Sequence, residues 1–189
     1  MGAGIGDHAE FFTDRGCTVT VTEGRADNLE VLRKLRPELR AFRLDLDNPD
    51  TAFTERFEVV FCYGALYHLA RPAQAIAYMA DRCTEFLLVE SCVSMGAEPS
   101  LPQVAELAMP DQALAGVGSR PTRSWVRREL ERHFEFVYLS AAQPAHPQFP
   151  TDWTSEPSEP LTRAVFVASR KPLDSPLLTV SIPDRQAHI

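Results

Sequence analysis

Three groups of residues near the N-terminus have the types and spacing of a nucleotide-binding site. Gly2, Gly4 and Gly6 directly precede a helical pattern, and glycines in that place let the backbone approach a ligand closely. Glu23 follows about 20 residues later, at the end of an apolar run, where a carboxylate can accept hydrogen bonds from ribose hydroxyls. Asp45 ends the next run and is placed to reach an adenine amino group. We therefore expect three chain segments to surround one adenosine.

Two histidines are candidates for acid–base chemistry near that site. His68 follows an apolar run over 57–62, and an imidazole titrates near neutral pH, so His68 is the candidate general base. It is equally consistent with a histidine that bonds a backbone carbonyl and holds its loop. His8 follows the glycines and fits a first-turn helix residue at least as well as a ligand contact. Tyr67 is expected to be a packing residue.

Strand and helix patterns alternate along the chain that carries these residues. The periodicity predicts helices over 7–15, 26–36, 72–82 and 124–134, and strands over 18–22, 39–44, 57–62, 86–89, 136–139 and 164–168. The run 57–62 is nearly all apolar, as in a parallel strand covered on both faces. The alternation predicts an α/β fold with a mostly parallel sheet, ending in an antiparallel pair.

The second half of the chain contains three less regular segments. Residues 93–123 are rich in Pro, Gly and Ala and are expected to form an insertion or lid, with a helical patch over 103–108. The loop 143–153 carries His146, Asp152 and Trp153, and either contacts an acceptor or is pinned by its aromatic residues. Residues 172–189 are expected to be a loosely held tail after a domain over 1–171.

Composition limits the possible classes of protein. The chain has 189 residues, 44% of them hydrophobic and 24% charged, which suits one globular domain. A net charge of −7 disfavours a nucleic-acid partner, and no apolar run suggests a membrane span or secretory leader, so we expect a cytoplasmic protein. Its four cysteines lack metal-ligand spacing and are expected to be buried, reduced thiols. Monomer and homo-oligomer both remain open.

The order of these motifs over 1–171 resembles the class I S-adenosylmethionine-dependent methyltransferases, which have a Rossmann-like fold. The loop over 63–68 also resembles the segment after the family's fourth strand, which flanks the methyl donor. The resemblance implies helices on both faces of the sheet, S-adenosylmethionine as cofactor, and a small-molecule acceptor methylated on oxygen or nitrogen. The donor-binding residues that it implies are Gly2, Gly4, Gly6, Glu23, Asp45, Leu46 and Tyr63.

One departure from the family concerns the first strand. The family's glycine motif follows a buried strand, whereas Gly2 here comes directly after Met1. We therefore expect the first strand to be missing, with an apolar groove at the centre of the sheet, as in an N-terminally shortened methyltransferase. Unpaired strand backbone costs on the order of 1 kcal/mol per lost hydrogen bond.

Three alternatives to a small-molecule methyltransferase follow from the same residues. A non-catalytic or degenerate methyltransferase-like protein would need a partner to cover the groove. A nicotinamide-dependent oxidoreductase shares the glycines and Glu23, but the terminal antiparallel pair and Asp45 favour a methyltransferase. An RNA methyltransferase is suggested by the loop around His68 and is disfavoured by the acidic charge balance.

Overall fold

The structure is a computed structural model, and it describes residues 1–107, 109 and 111–189. Its helices are α1 (Asp7–Thr13), α2 (Ala26–Leu35), α3 (Pro72–Arg82) and α4 (Arg123–Glu131), with a short 3-10 turn over Leu66–His68. Its strands are β1 (Thr20–Glu23), β2 (Arg40–Arg43), β3 (Phe57–Tyr63), β4 (Cys83–Val93), β5 (Gln103–Ala105), β6 (Val117–Ser119), β7 (Phe136–Ser140), β8 (Thr162–Ser169) and β9 (Leu178–Thr179). The predicted α/β class is confirmed.

The strands form one main sheet and two small ones. The main sheet has the order β3-β4-β8-β7-β9, while β1 pairs with β2 and β5 pairs with β6. Within the main sheet only β3 and β4 run parallel, and the other three pairings are antiparallel. The expectation of a mostly parallel sheet is therefore wrong, because β8 lies between β4 and β7 and runs against both.

The N-terminal residues connect β1 to β3 at one end of a gap. The Ala3 amide donates to the carbonyl of Thr22 at 3.0 Å, and the amino group of Met1 donates to the carbonyl of Phe61 at 2.6 Å. No ladder joins β1 to β3 in the described ranges of the chain. Beyond the two contacts lies an apolar cavity of about 590 Å³, bordered by α1, β1 and β3. We call this space the central groove.

The hydrophobic core lies between the main sheet and helices α3 and α4. Pro72 begins α3 at a position where its missing N–H costs nothing, and apolar residues then recur at helical spacing. Ile76 and Met79 of α3 have no exposed surface, nor has Leu87 of β4 or Phe166 of β8. Each such side chain contributes about 1.5–3 kcal/mol by its burial. This core fixes β3 and β4, whose C-terminal ends carry the site described below.

The segment predicted as a helical patch over 103–108 is instead a hairpin. Gln103, Val104 and Ala105 pair antiparallel with residues 117–119 of β6, while Ala108 lies outside the described residues. The prediction of a helix here is wrong because β5 is stabilised by pairing with β6, more than ten residues away in the sequence. The spacing of apolar residues within β5 does not reveal such a distant partner.

The C-terminal residues are bound rather than loosely held. Strand β9 pairs with β7, and the amides of Gln143 and Trp153 donate to carbonyls of Ala187 and Asp184 at 2.7 and 2.9 Å. The indole N–H of Trp153 also donates to Gln186 at 2.8 Å. The expectation of a loose tail is therefore corrected, because the tail satisfies the backbone of the loop 143–153, and Trp153 pins that loop.

The cysteines are free, and three of the four are buried. Cys62, Cys83 and Cys92 are buried as expected, but Cys17 is exposed in the loop between α1 and β1. Burial raises the pKa of the Cys62 thiol to about 11. None of the helices in the described part of the chain is long and apolar enough to cross a membrane.

Candidate functional site

A glycine turn brings the start of α1 against the end of β1. Gly2 and Gly4 both have positive φ angles, 68° and 56°, which side-chain-bearing residues rarely adopt. A Cβ atom at Gly2 would also collide with the Cβ of Ala65, in the loop after β3. Glycine is therefore required at residue 2 for both its conformation and its close approach to that loop.

Glu23 holds the glycine turn from below. Its carboxylate accepts the Gly4 amide at 2.8 Å through one oxygen and the Arg25 amide at 2.9 Å through the other. Glu23 is only 7% exposed, at the end of β1. Because each carboxylate oxygen offers two acceptor sites, Glu23 keeps acceptor capacity after both amides are bound. That capacity is what a ribose diol requires.

Asp45 and Leu46 follow β2 and lie beside the end of β1. The Leu44 amide donates to the Glu23 carbonyl at 3.0 Å, which joins the two strand ends. The Asp45 carboxylate accepts the Asp47 amide at 2.9 Å and the Asn48 side chain at 3.1 Å, so it shapes its own turn. Leu46 is buried. These residues offer a carboxylate and an apolar side chain on one side of the site.

The predicted residues converge on one small cavity, which we call the donor cavity. Its volume is about 160 Å³, and Asp111, Gln112 and Leu114, from the segment between β5 and β6, line one side of it. Of the residues predicted from sequence, the structure places six in its wall: Gly2, Gly4, Glu23, Asp45, Leu46 and His68. The carboxylates, the glycine backbone and the imidazole thus face one space at the strand ends.

Three other candidates lie elsewhere. Gly6 supports α1 from the inside, where a Cβ atom would approach the side chain of Leu32 to 3.3 Å. Tyr63 lines the central groove and stacks on Phe61 with ring centroids 4.1 Å apart. His8 also lines the central groove, with its ring 5.4 Å from Phe61. The structure therefore does not bring Gly6, Tyr63 or His8 to the donor cavity.

His68 is held by an acidic side chain that the sequence analysis did not single out. Its Nδ1 lies 2.6 Å from Oε2 of Glu106, whose other oxygen accepts Arg120 at 3.2 Å. Burial alone would raise the pKa of Glu106, but its hydrogen bonds with His68, the Ala113 amide and Arg120 outweigh burial and hold that pKa below its usual value. The only sequence signal for Glu106 was a carboxylate within a small apolar patch.

Arg25 is a second residue that sequence reasoning missed. Its guanidinium donates to the carbonyls of Gln112 and Ala113 at 2.9 and 3.2 Å, across 87 and 88 residues of chain. No local pattern reveals such a contact. Arg25 thereby fixes the segment that covers the donor cavity.

A buried ion pair supports the loop that carries His68. Glu90 of β4 accepts the Gly64 amide at 2.9 Å and the guanidinium of Arg163 at 2.8 Å. Arg163 also donates to the hydroxyl of Tyr67 at 3.0 Å. In the sequence, Glu90 is the one charged residue in the otherwise mostly apolar run 86–93. It connects the sheet to both ends of the loop 64–68.

Comparison with known proteins finds a family model that matches part of the chain and solved structures that share its fold. Residues 1–84 match the family model described as a methyltransferase domain. No curated protein sequence matches the chain. Among solved structures, the chain is similar to the N-terminal domain of EvdMO1 with S-adenosylhomocysteine bound, at 19% identity and a TM-score of 0.69 over 90% of this chain and 72% of that one.

Two named methyltransferases share the fold at similar distance. The glycopeptide N-methyltransferase MtfA, complexed with S-adenosylmethionine, gives a TM-score of 0.59 at 16% identity, covering 90% of this chain and 80% of its own. CalS10, an amino pentose methyltransferase from Micromonospora echinaspora, gives a TM-score of 0.56 at 17% identity, covering 90% of this chain and 81% of its own. Residues 1–84 therefore resemble a methyltransferase domain, and the chain shares the fold of these enzymes over 90% of its length.

Proposed function

We propose that this chain transfers the methyl group of S-adenosylmethionine to an oxygen or nitrogen atom of a small-molecule acceptor. The observation that carries the proposal is the convergence of Glu23, Asp45 and His68 on the donor cavity. Two carboxylates suit the ribose and the adenine of the donor, and an imidazole suits the proton of the acceptor.

Each wall of the donor cavity has a separate task in this proposal. Glu23 accepts the ribose hydroxyls with the acceptor sites that its two amide contacts leave open. Asp45 accepts the adenine amino group, and Leu46 packs on the base. Gly2 and Gly4 let the methionine part of the donor approach the backbone.

His68 acts as the general base in the methyl transfer. The donor supplies an electrophilic methyl carbon, whose bond to sulfur breaks with its electrons on sulfur as the acceptor atom bonds to carbon. His68 takes the proton that a hydroxyl or amine acceptor loses. Alignment of the donor methyl group with the acceptor atom supplies the rest of the rate acceleration, since well-oriented groups reach effective molarities of about 10⁵–10⁸ M.

The acceptor class is proposed from the shared fold and from charge. The solved relatives MtfA and CalS10 are named for a glycopeptide and an amino pentose, so a sugar or peptide hydroxyl or amine is the first class to test. The net charge of −7 makes an RNA acceptor a poorer choice, because phosphate binding relies on basic surface.

Isothermal titration with S-adenosylhomocysteine tests the donor site directly. Glu23→Ala removes hydrogen bonds to a charged group worth about 1.5–3 kcal/mol each, so two ribose contacts predict binding weaker by about a hundredfold or more. Glu38→Ala, at an exposed residue before β2, is the control and should bind like the wild type. A folded wild-type chain that binds neither S-adenosylhomocysteine nor S-adenosylmethionine would refute the donor-site assignment.

A second candidate function rests on the central groove. A groove of about 590 Å³ between two strands that do not pair favours a methyltransferase-like protein completed by another segment. The fitting occupant is an apolar strand parallel to β1 and β3, because neither strand has a partner strand on its groove side in the described part of the chain.

The test adds a five-residue apolar strand, or a polar control segment rich in Gly and Pro, ahead of Met1. The second candidate predicts a higher melting temperature and gain of S-adenosylhomocysteine binding with the apolar segment only. Equal binding by the unextended chain and both extended forms would dismiss this candidate.

A further inference from the structure

We propose that Glu106 is a positioning residue for His68, which fixes the imidazole proton on Nδ1 and leaves Nε2 free to take a proton from the acceptor. The inference rests on the proposed function, in which His68 is the base. Glu106 lies just after β5, 38 residues from His68 in sequence, and reaches it from the hairpin that covers the site.

The hydrogen bonds around Glu106 determine which atom donates. Arg120 donates to Oε1 at 3.2 Å, and the Ala113 amide donates to Oε2 at 2.7 Å. A guanidinium and an amide can only donate, so both oxygens of Glu106 act as acceptors. These bonds and the positive charge of Arg120 favour the ionised carboxylate, and they hold the pKa of Glu106 below its usual value. The contact of 2.6 Å between Oε2 and Nδ1 of His68 therefore requires the proton on Nδ1.

The hairpin provides a fitted place for this carboxylate. The Glu106 side chain is only 2% exposed, and the His68 side chain is 18% exposed. Gly118 of β6 lies against the Glu106 carboxylate and the Tyr67 carbonyl, because a Cβ atom there would collide with the first and approach the second to 2.5 Å. Absence of a side chain at residue 118 thus makes room for Glu106 beside the loop that carries His68.

Glu106 acts through His68 rather than on the reactants. His68 is in the wall of the donor cavity, whereas Glu106 is not among the residues that line it. With Nδ1 bound to Glu106, Nε2 is the ring nitrogen left to act on a ligand. A histidine held in this way suits acceptors that must lose a proton, namely hydroxyls and protonated amines.

The tautomer of His68 can be measured without knowing the acceptor. Long-range ¹H–¹⁵N spectra of the ¹⁵N-labelled full chain near pH 7.5 distinguish a protonated Nδ1 from a protonated Nε2, and His68→Gln assigns the resonances. The wild type should show the Nδ1–H form. Glu106→Gln should shift the tautomer towards Nε2–H, since the oxygen of a neutral amide accepts the Nδ1 proton less strongly than a carboxylate does. Glu98→Gln, at an exposed carboxylate, should leave the spectrum unchanged.

The outcomes separate this inference from the proposed function. An Nε2–H tautomer in the wild type, or an unchanged His68 signature in a folded Glu106→Gln chain, would overturn the positioning role. Glu106→Asp provides a second variant, which keeps the charge but shortens the reach to Nδ1 and should also lose the Nδ1–H form. S-adenosylhomocysteine affinity of Glu106→Gln should stay within about twofold of wild type. If the wild type does not bind S-adenosylhomocysteine, the proposed function is refuted, whereas the result on the tautomer of His68 remains valid.

Discussion

Removal of the Arg163 guanidinium should destabilise the fold far more than removal of an exposed arginine. Arg163 contacts both oxygens of Glu90, at 2.8 and 3.1 Å, and only 7% of the Glu90 side chain is exposed. Arg163→Met leaves that carboxylate buried beside a thioether. Loss of one partner of a buried pair costs about 3–5 kcal/mol, because the remaining charge is uncompensated. For a domain stable by about 5–15 kcal/mol, this is a large part of the free energy of unfolding.

Urea unfolding followed by circular dichroism measures the effect. Arg40→Met is the control, since Arg40 and Glu55 form an ion pair of 2.6 Å with both side chains about half exposed, 54% and 43%. Such surface pairs contribute about 0–1 kcal/mol. The double variant Glu90→Gln/Arg163→Met removes both charges and should recover most of the lost stability, while the glutamine oxygen can still accept the Gly64 amide.

Two results would refute this reasoning. One is a loss of unfolding free energy for Arg163→Met no larger than that for Arg40→Met. The other is a double variant as unstable as Arg163→Met, which would show that the guanidinium matters for packing on Tyr67 rather than for neutralising Glu90. Arg163 lies 5.1 Å from the Tyr67 ring centroid, so this alternative is physically distinct.

Two further predictions concern ionisable groups of the fold. The pKa of Glu106 is lower in the folded state than in the unfolded chain, so its ionised carboxylate stabilises the fold fully above the unfolded pKa of about 4.3. This stabilisation is lost as the pH falls through the lower pKa of the folded state. The melting temperature should therefore fall less steeply between pH 7 and pH 3 for Glu106→Gln than for the wild type, and parallel melting curves of the two proteins would contradict this. Cys62 has no exposed surface, and its burial raises the pKa of its thiol to about 11. In the native protein, iodoacetamide at pH 8 should therefore modify the exposed Cys17 before Cys62, which mass spectrometry of digests would measure. Equal rates of modification at the two cysteines would contradict the burial of Cys62.

Elements fixed by local signals were predictable from sequence. The bounds of α3 were predicted correctly because Pro72 marks its start and apolar residues recur on one face. Strand β3 was predicted within one residue of its end, because its apolar run lies between polar segments. Strand β5 was missed, because three extended residues show no period and depend on pairing with β6.

The difference between local and distant signals also explains which residues of the site could be predicted from sequence. Glu23 and Asp45 were predictable because strand order alone places the ends of neighbouring strands together. Tyr63 was expected at the donor, yet it lies in the central groove, since successive side chains of a strand point to opposite faces and only the next residues turn towards the donor cavity. Arg25 and Glu106 depend on how the segment between β5 and β6 folds back, which no spacing in the sequence encodes.

The size of the donor cavity makes a final prediction about that segment. The donor cavity encloses about 160 Å³, whereas small-molecule sites usually enclose about 300–1,000 Å³, so we expect residues 111–114 to move when the donor binds. Arg25 restrains them through two carbonyls, and hydrogen bonds from a charged donor contribute about 1.5–3 kcal/mol each. Arg25→Met should therefore accelerate both association and dissociation of S-adenosylhomocysteine about tenfold or more in stopped-flow measurements. Arg33→Met is the matched control, because Arg33 donates to the Ala41 carbonyl at 2.9 Å away from the cavity. Equal rates for the wild type and both variants would show that opening of this segment does not limit donor entry.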